Sequence, residues 1–191
     1  MVDTIIISIA EAKKVSADFF IANYPLRYKR SFQYSNSDDA LRCLAVALLL
    51  DKAGIKENEV TVDENGKPAL KNGGYISISH SGEYCALAVA DTPVGVDVEQ
   101  IGRVDDRIAS RFFTETERQW AHGDATRLTV VWTVKEAVAK LDGTGIKMLW
   151  NSIDVTPLVN GNELDFNGKK IKAEIKNLDN YILSVCKACT P

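Results

Sequence analysis

Val94-Gly95-Val96-Asp97-Val98-Glu99 is the stretch on which the fold turns. Valines alternate with a glycine and two acids, and successive side chains of an extended chain point to opposite faces. The alternation predicts a strand in which Val94, Val96 and Val98 face a core while Gly95, Asp97 and Glu99 share the other face. Two carboxylates therefore leave one side together. Carboxylate oxygens without neighbouring cysteine or histidine suit a hard cation such as Mg²⁺, which takes one or two protein carboxylates plus phosphates and waters. A strand facing solvent with two ordinary acids has the same pattern, so the pair means more only in company.

On its C-terminal side the spacing predicts a helical region over 105–121 and a helix over about 127–141. In that second helix Val130, Val134, Ala137, Val138 and Leu141 form a buried stripe, and Glu136 and Lys140 stand one turn apart on a flank. An exposed pair at that spacing contributes only about 0.3 to 0.5 kcal/mol, which is its bland reading. Gly143-Thr144-Gly145 ends the helix but lacks the strand-to-helix context of a phosphate loop. Strand-like pieces follow at 153–156, 163–166, 170–176 and 181–186, with Asn167-Gly168 as a hairpin turn.

The N-terminal side repeats the plan. A strand over 4–9 leads to a helix from 11 towards 23, ended by Pro25. A strong helix follows, capped by Ser37, carrying Leu41, Leu44, Leu48 and Leu49 at helical spacing and stopped by Gly54. Strands are expected at 60–63, 75–79 and 84–90, with Asn65-Gly66 and Ser81-Gly82 as turns. The pattern predicts an α+β protein: two similar α+β lobes related by a pseudo-twofold axis, with antiparallel sheets packed against helices. The lobes would be 1–92 and 93–191, joined near Thr92-Pro93, and a cleft between lobes is a favoured place for a ligand.

The chain has 191 residues, 46% apolar and 26% charged, enough for a sizeable core and too short for a large multidomain assembly. Its 23 basic and 26 acidic residues give a net charge of −3, which argues against general nucleic-acid binding. The longest uncharged apolar run, 43–50, is far below the roughly 20 residues that span a bilayer, and no leader pattern opens the chain. No membrane partner and a cytoplasmic location are expected. Cys43, Cys85, Cys186 and Cys189 do not resemble a disulfide framework. Cys186 and Cys189 have C-x-x-C spacing without a second ligand pair.

Other residues carry chemistry only in combination. In Ile78-Ser79-His80-Ser81 a histidine lies between two hydroxyls at a strand end, where a structural role weighs as much as a ligand role. Lys67 follows the Asn65-Gly66 turn, as it would in any surface hairpin. Arg27, Lys29, Arg30 and, beyond a gap, Arg42 form a basic group of the kind that is usually a solvated face. Thr114 and Glu117 read as a helix capping box, a sufficient reason for Glu117.

The ordered series resembles the 4′-phosphopantetheinyl transferases of the two-lobed, surfactin-type branch. It comprises Arg27 and Arg30, Asp39-Ala40-Leu41-Arg42, Gly66-Lys67-Pro68, Ile78-Ser79-His80-Ser81, Gly95-Val96-Asp97-Val98-Glu99, Phe112-Phe113 with Glu117, and Trp132, Lys135-Glu136-Ala137, Lys140, Gly143 and Gly145. The last two signatures, with Glu99 and Glu136 37 positions apart, are the most specific. The resemblance implies transfer of the phosphopantetheine arm of coenzyme A to a serine of an acyl or peptidyl carrier protein, with release of adenosine 3′,5′-bisphosphate and Mg²⁺ as cofactor. By motif it assigns Asp97, Glu99 and Glu136 to the metal, Glu136 also to deprotonating the carrier serine, and Lys140 to the pyrophosphate. It gives Lys67, Ser79 and His80 to coenzyme A, with His80, Arg27 and Arg30 near the 3′-phosphate and Arg42 in the nucleotide pocket. Competing readings are a non-catalytic coenzyme A or carrier-protein binding module and an unrelated Mg²⁺-dependent phosphohydrolase.

Overall fold

The computed structural model of the chain describes residues 2–64, 66–143 and 153–189. The N-terminal half runs β1 (Val2–Ser8), three short helices α1 (Ile9–Lys13), α2 (Ala17–Asn23) and α3 (Pro25–Ser31), and the long α4 (Ser37–Lys52). A hairpin of β2 (Val60–Val62) and β3 (Pro68–Leu70) follows, then β4 (Tyr75–Ser81) and β5 (Tyr84–Ala90). The single helix expected from residue 11 is thus broken. The Ser8 and Ser16 side chains accept from the Ala10 and Phe19 amides, each starting a new helix. Pro25 opens α3 instead of closing its predecessor, because the first helical position needs no amide hydrogen. Asn36, not Ser37, caps α4, accepting from the Asp38 amide. Strand β3 escaped the periodicity because it is only three residues long and starts with a proline.

The C-terminal half runs β6 (Val94–Gln100), α5 (Asp106–Phe112), α6 (Glu115–Ala121), α7 (Ala125–Asp142), α8 (Thr156–Val159), β7 (Leu164–Phe166), β8 (Lys169–Leu178) and β9 (Tyr181–Ala188). The region expected as helical over 105–121 divides at Phe113, where Thr114 and Glu117 form the capping box that starts α6. The strand expected at 153–156 is absent, since Thr156 begins α8. Helix α7 is buried on more than one stripe: Thr133, Lys135 and Ala139 are inside, whereas Val130 is only half-buried. Gly145 and the Asn65 position of the first turn lie outside the described residues.

The sheets are antiparallel and packed against helices. Strand order is β1-β5-β4 in one sheet, β6-β9-β8-β7 in the other, and β2-β3 stand apart. In both halves the first strand pairs with the last, and the last with its predecessor. One core gathers around α4 and another around α7, while a third lies between the sheets, where Ala86 and Ala88 of β5 meet Val94, Val96, Val98, Leu183 and Val185. Each buried valine there contributes about 1.5 to 3 kcal/mol. The valine face of β6 is therefore the core face, as its alternation predicts.

Helix α7 covers the other face of β6. A Cβ on Gly95 would lie 1.8 Å from the Ala137 carbonyl oxygen, so only glycine admits this approach. Asp97, two residues on, is consequently roofed by the helix and only 6% exposed, which excludes the solvent-facing strand.

Candidate active site

The free edge of β6 is closed by side chains of β4. Ser77, Ser79 and Ser81 alternate along β4, so their hydroxyls share one face, and all three are buried. Ser77 Oγ accepts from the Val96 amide at 2.9 Å and Ser79 Oγ from the Val98 amide at 3.3 Å. Ser79 also donates to Asp97 Oδ1 at 2.7 Å, and Ser81 donates to Glu99 Oε1. One strand from the N-terminal half thereby holds both carboxylates of the C-terminal half.

Cations complete the arrangement. Lys140 Nζ donates to Asp97 Oδ1 at 2.7 Å and to the Val96 carbonyl at 3.1 Å. Glu99 Oε1 also accepts from the Gln100 amide at 3.0 Å and faces the Arg103 guanidinium at 3.6 Å. Glu136 has no hydrogen bond or ion pair among the described residues. Burial, then the charges of Asp97 and Glu99, push its pKa up to about 7, against the opposing pull of Lys140. Asp97 is raised by burial despite Lys140 and Ser79.

These acids sense one another without meeting: among the described residues, no three histidine, cysteine, aspartate or glutamate side chains stand close enough to hold one ion. The donor chemistry nevertheless fits a hard cation. Every contact to Asp97 and Glu99 falls on Oδ1 or Oε1, which leaves Asp97 Oδ2, Glu99 Oε2 and both Glu136 oxygens unengaged by described residues. Unpaired carboxylate oxygens at a half-buried site leave negative charge unbalanced, and a divalent ion balances it.

The basic residues lie next door. Arg27, Arg30, Asp39, Arg42 and His80 line a cleft of about 650 Å³ whose floor includes Cys43 and Val46. A smaller cavity of about 210 Å³, lined by Lys67, Ser77 and Lys140, adjoins it through Gly66, Pro68 and Ile78. Lys67 Nζ donates to the Leu141 carbonyl at 2.7 Å, tying the β2-β3 hairpin to the end of α7. Loss of hydration lowers the His80 pKa, and Arg42 and Lys140 lower it further. Arg42 already spends donors on Asp39 at 2.6 Å and on the Gly82 carbonyl at 3.0 Å, which pins the β4-β5 turn.

The structure therefore brings Arg27, Arg30, Arg42 and His80 to one cleft, Lys67 and Lys140 to its neighbour, and Asp97, Glu99 and Glu136 to the wall beside Lys140. Ser79 stands apart from the cleft that His80 lines. Adjacent strand residues face opposite ways, and its hydroxyl turns to Asp97. Sequence reasoning also missed Arg103, the bond of Ser81 to Glu99 and the pairing of Lys135. Lys135 is fully buried and donates to both Glu117 oxygens and to the Ile153 carbonyl, each at 2.7 Å. A lysine among the apolar residues of α7 was the available signal.

Residues 93–186 match the family model described as the 4′-phosphopantetheinyl transferase superfamily. The chain is 34% identical over 148 residues to "4′-phosphopantetheinyl transferase gsp" of Aneurinibacillus migulanus, covering 71% of this chain and 62% of that protein. It is 39% identical over 89 residues to "4′-phosphopantetheinyl transferase psf-1" of Bacillus pumilus, covering 43% of this chain and 38% of the relative. Against "4′-phosphopantetheinyl transferase Sfp" of Bacillus subtilis (strain 168) it is 28% identical over 148 residues, 69% of this chain and 65% of the relative. The chain thus spans less than two thirds of the length of these curated relatives.

Proposed function

Since the chain belongs to the 4′-phosphopantetheinyl transferase superfamily, in its surfactin-type branch, we propose that it moves the 4′-phosphopantetheine arm of coenzyme A onto a serine of an acyl or peptidyl carrier protein and releases adenosine 3′,5′-bisphosphate. The observation that carries this reading is adjacency: a cleft lined by Arg27, Arg30, Arg42 and His80 runs into a cavity whose Lys140 also grips Asp97. A polyanionic nucleotide and a charge-neutralising acidic site belong side by side in pyrophosphate chemistry.

In this reading the arginines and His80 hold the nucleotide phosphates, with Arg27, Arg30 and His80 at the 3′-phosphate and Arg42 lining the nucleotide pocket. Lys67 adds a cation on the coenzyme path, and Lys140 meets the pyrophosphate. Asp97, Glu99 and Glu136 would hold Mg²⁺, which supplies neutralisation of the charge that builds on the leaving oxygens. In this reading Glu136 also accepts the proton of the attacking serine hydroxyl. Ser79, whose hydroxyl fixes Asp97, is placed with Lys67 and His80 among the residues for coenzyme A.

We also read 1–92 and 93–191 as separate lobes, the second carrying the acids. We place the reaction in the cytoplasm; among the described residues, no helix is long and apolar enough to cross a membrane. The test is incubation with coenzyme A, Mg²⁺ and a panel of apo carrier proteins. Intact-mass measurement should show one phosphopantetheine added at a carrier serine. Tight coenzyme A binding with no mass gain on any carrier would leave a binding module in place of a transferase.

A further inference from the structure

Asp97 and Glu99 each face a cation of this chain through one oxygen, but the two cations are held very differently. Lys140 projects from a helix and makes two bonds, at 2.7 Å to Asp97 and 3.1 Å to the Val96 carbonyl. Arg103 lies in the turn after β6, 57% exposed, with its guanidinium 3.6 Å from Glu99 Oε1 and 3.3 Å from Ser81 Oγ. Both Arg103 contacts are long, and water is at hand to replace them. Glu99, by contrast, stays in place without Arg103, because Ser81 and the Gln100 amide bind the same oxygen.

We propose that Arg103 is a tethered, displaceable counter-cation of Glu99 that competes with a divalent ion and so sets the affinity of the acidic site for that ion. The inference rests on the metal-binding reading of Asp97, Glu99 and Glu136 given above. A divalent ion on the open Glu99 Oε2 meets the positive charge of Arg103 beside Oε1, and its entry drives the guanidinium out into solvent. The exposed, weakly bonded guanidinium is the group that can leave. Lys140, fixed by two short contacts from a helix, stays. Arg103 acts on ion affinity and not on the reacting atoms, so its replacement lowers the Mg²⁺ concentration for half-maximal rate.

The experiment is titration of the full chain with MnCl2 in the absence of coenzyme A, read by calorimetry and by loss of the free-ion electron paramagnetic resonance signal. Removing one opposing charge at this range in a partly screened site corresponds to roughly three- to tenfold tighter binding. Arg103→Gln should therefore bind Mn²⁺ that much more tightly than the native chain, Arg103→Glu at least as tightly as Arg103→Gln, and Arg103→Lys should stay near the native value. Native binding with unchanged or weaker affinity in both Arg103→Gln and Arg103→Glu overturns the proposal and leaves the metal reading standing. No Mn²⁺ binding by the native chain or any variant overturns both.

Discussion

Helix α7 carries two lysines five positions apart, and each meets a carboxylate from another element, yet the pairs differ in what they leave over. Lys135 has its three donors on Glu117 and Ile153, and Glu117 also accepts from the Thr114 and Val155 amides at 2.7 and 2.9 Å. Both side chains are at most 1% exposed. Lys140 is 30% exposed, and the Asp97 it holds keeps Oδ2 unengaged beside a second acid, Glu136. A satisfied buried pair is a joint that fixes α6, α7 and the chain at Ile153 together. A pair with unspent oxygen and a like-charged neighbour is poised to take up something else.

The sharpest way to break the contrast is to remove one partner from the satisfied pair. Lys135→Met leaves the Glu117 charge buried among amides and should cost about 3 to 5 kcal/mol, measured by urea unfolding. Asp97→Asn should do the reverse: transfer to a carrier falls roughly 10² to 10³-fold in a steady-state assay while the unfolding midpoint holds or rises. Equal stability losses in the two variants would erase the distinction.

A smaller effect concerns Glu136. Folding raises its pKa from the ordinary 4.5 to about 7, so the folded chain holds more protons than the unfolded chain between those values. Without added divalent ion, stability should therefore decline as pH rises from about 4.5 to 7 and remain lower above that window. Glu136→Gln should flatten this slope and gain on the order of 1 to 2 kcal/mol at pH 8, discounted for partial solvent access, as read from denaturation across pH. An unchanged slope would show that Glu136 is not strained by Asp97 and Glu99.

Local pattern carried much of this architecture. The alternation over 94–99 gave the correct faces for Asp97 and Glu99, and the β5 bounds, Tyr84–Ala90, match the sequence reading. Asn167 and Gly168, at φ 51° and 71°, form the tight turn their identities demand. Failures came where a nearby side chain competed with periodicity, as Ser8 and Ser16 do by restarting helices, or where partners are distant in sequence. Glu117 was correctly read as a capping residue, but a local motif cannot show that the same carboxylate receives Lys135, 18 positions on. The tie of Ser79 to Asp97, another 18-residue span, likewise appears only in three dimensions.

At Gly95 the spacing between strand and helix is set by main chain resting on main chain, with the Ala137 oxygen where a methyl would be. Backbones in van der Waals contact have no shim to remove, so the gap that Asp97 and Glu136 must bridge is a fixed tolerance of the scaffold. On the metal-binding reading proposed above, retuning this site for a larger or smaller ion would have to proceed by exchanging aspartate for glutamate, one methylene at a time, because the helix itself has nowhere closer to go.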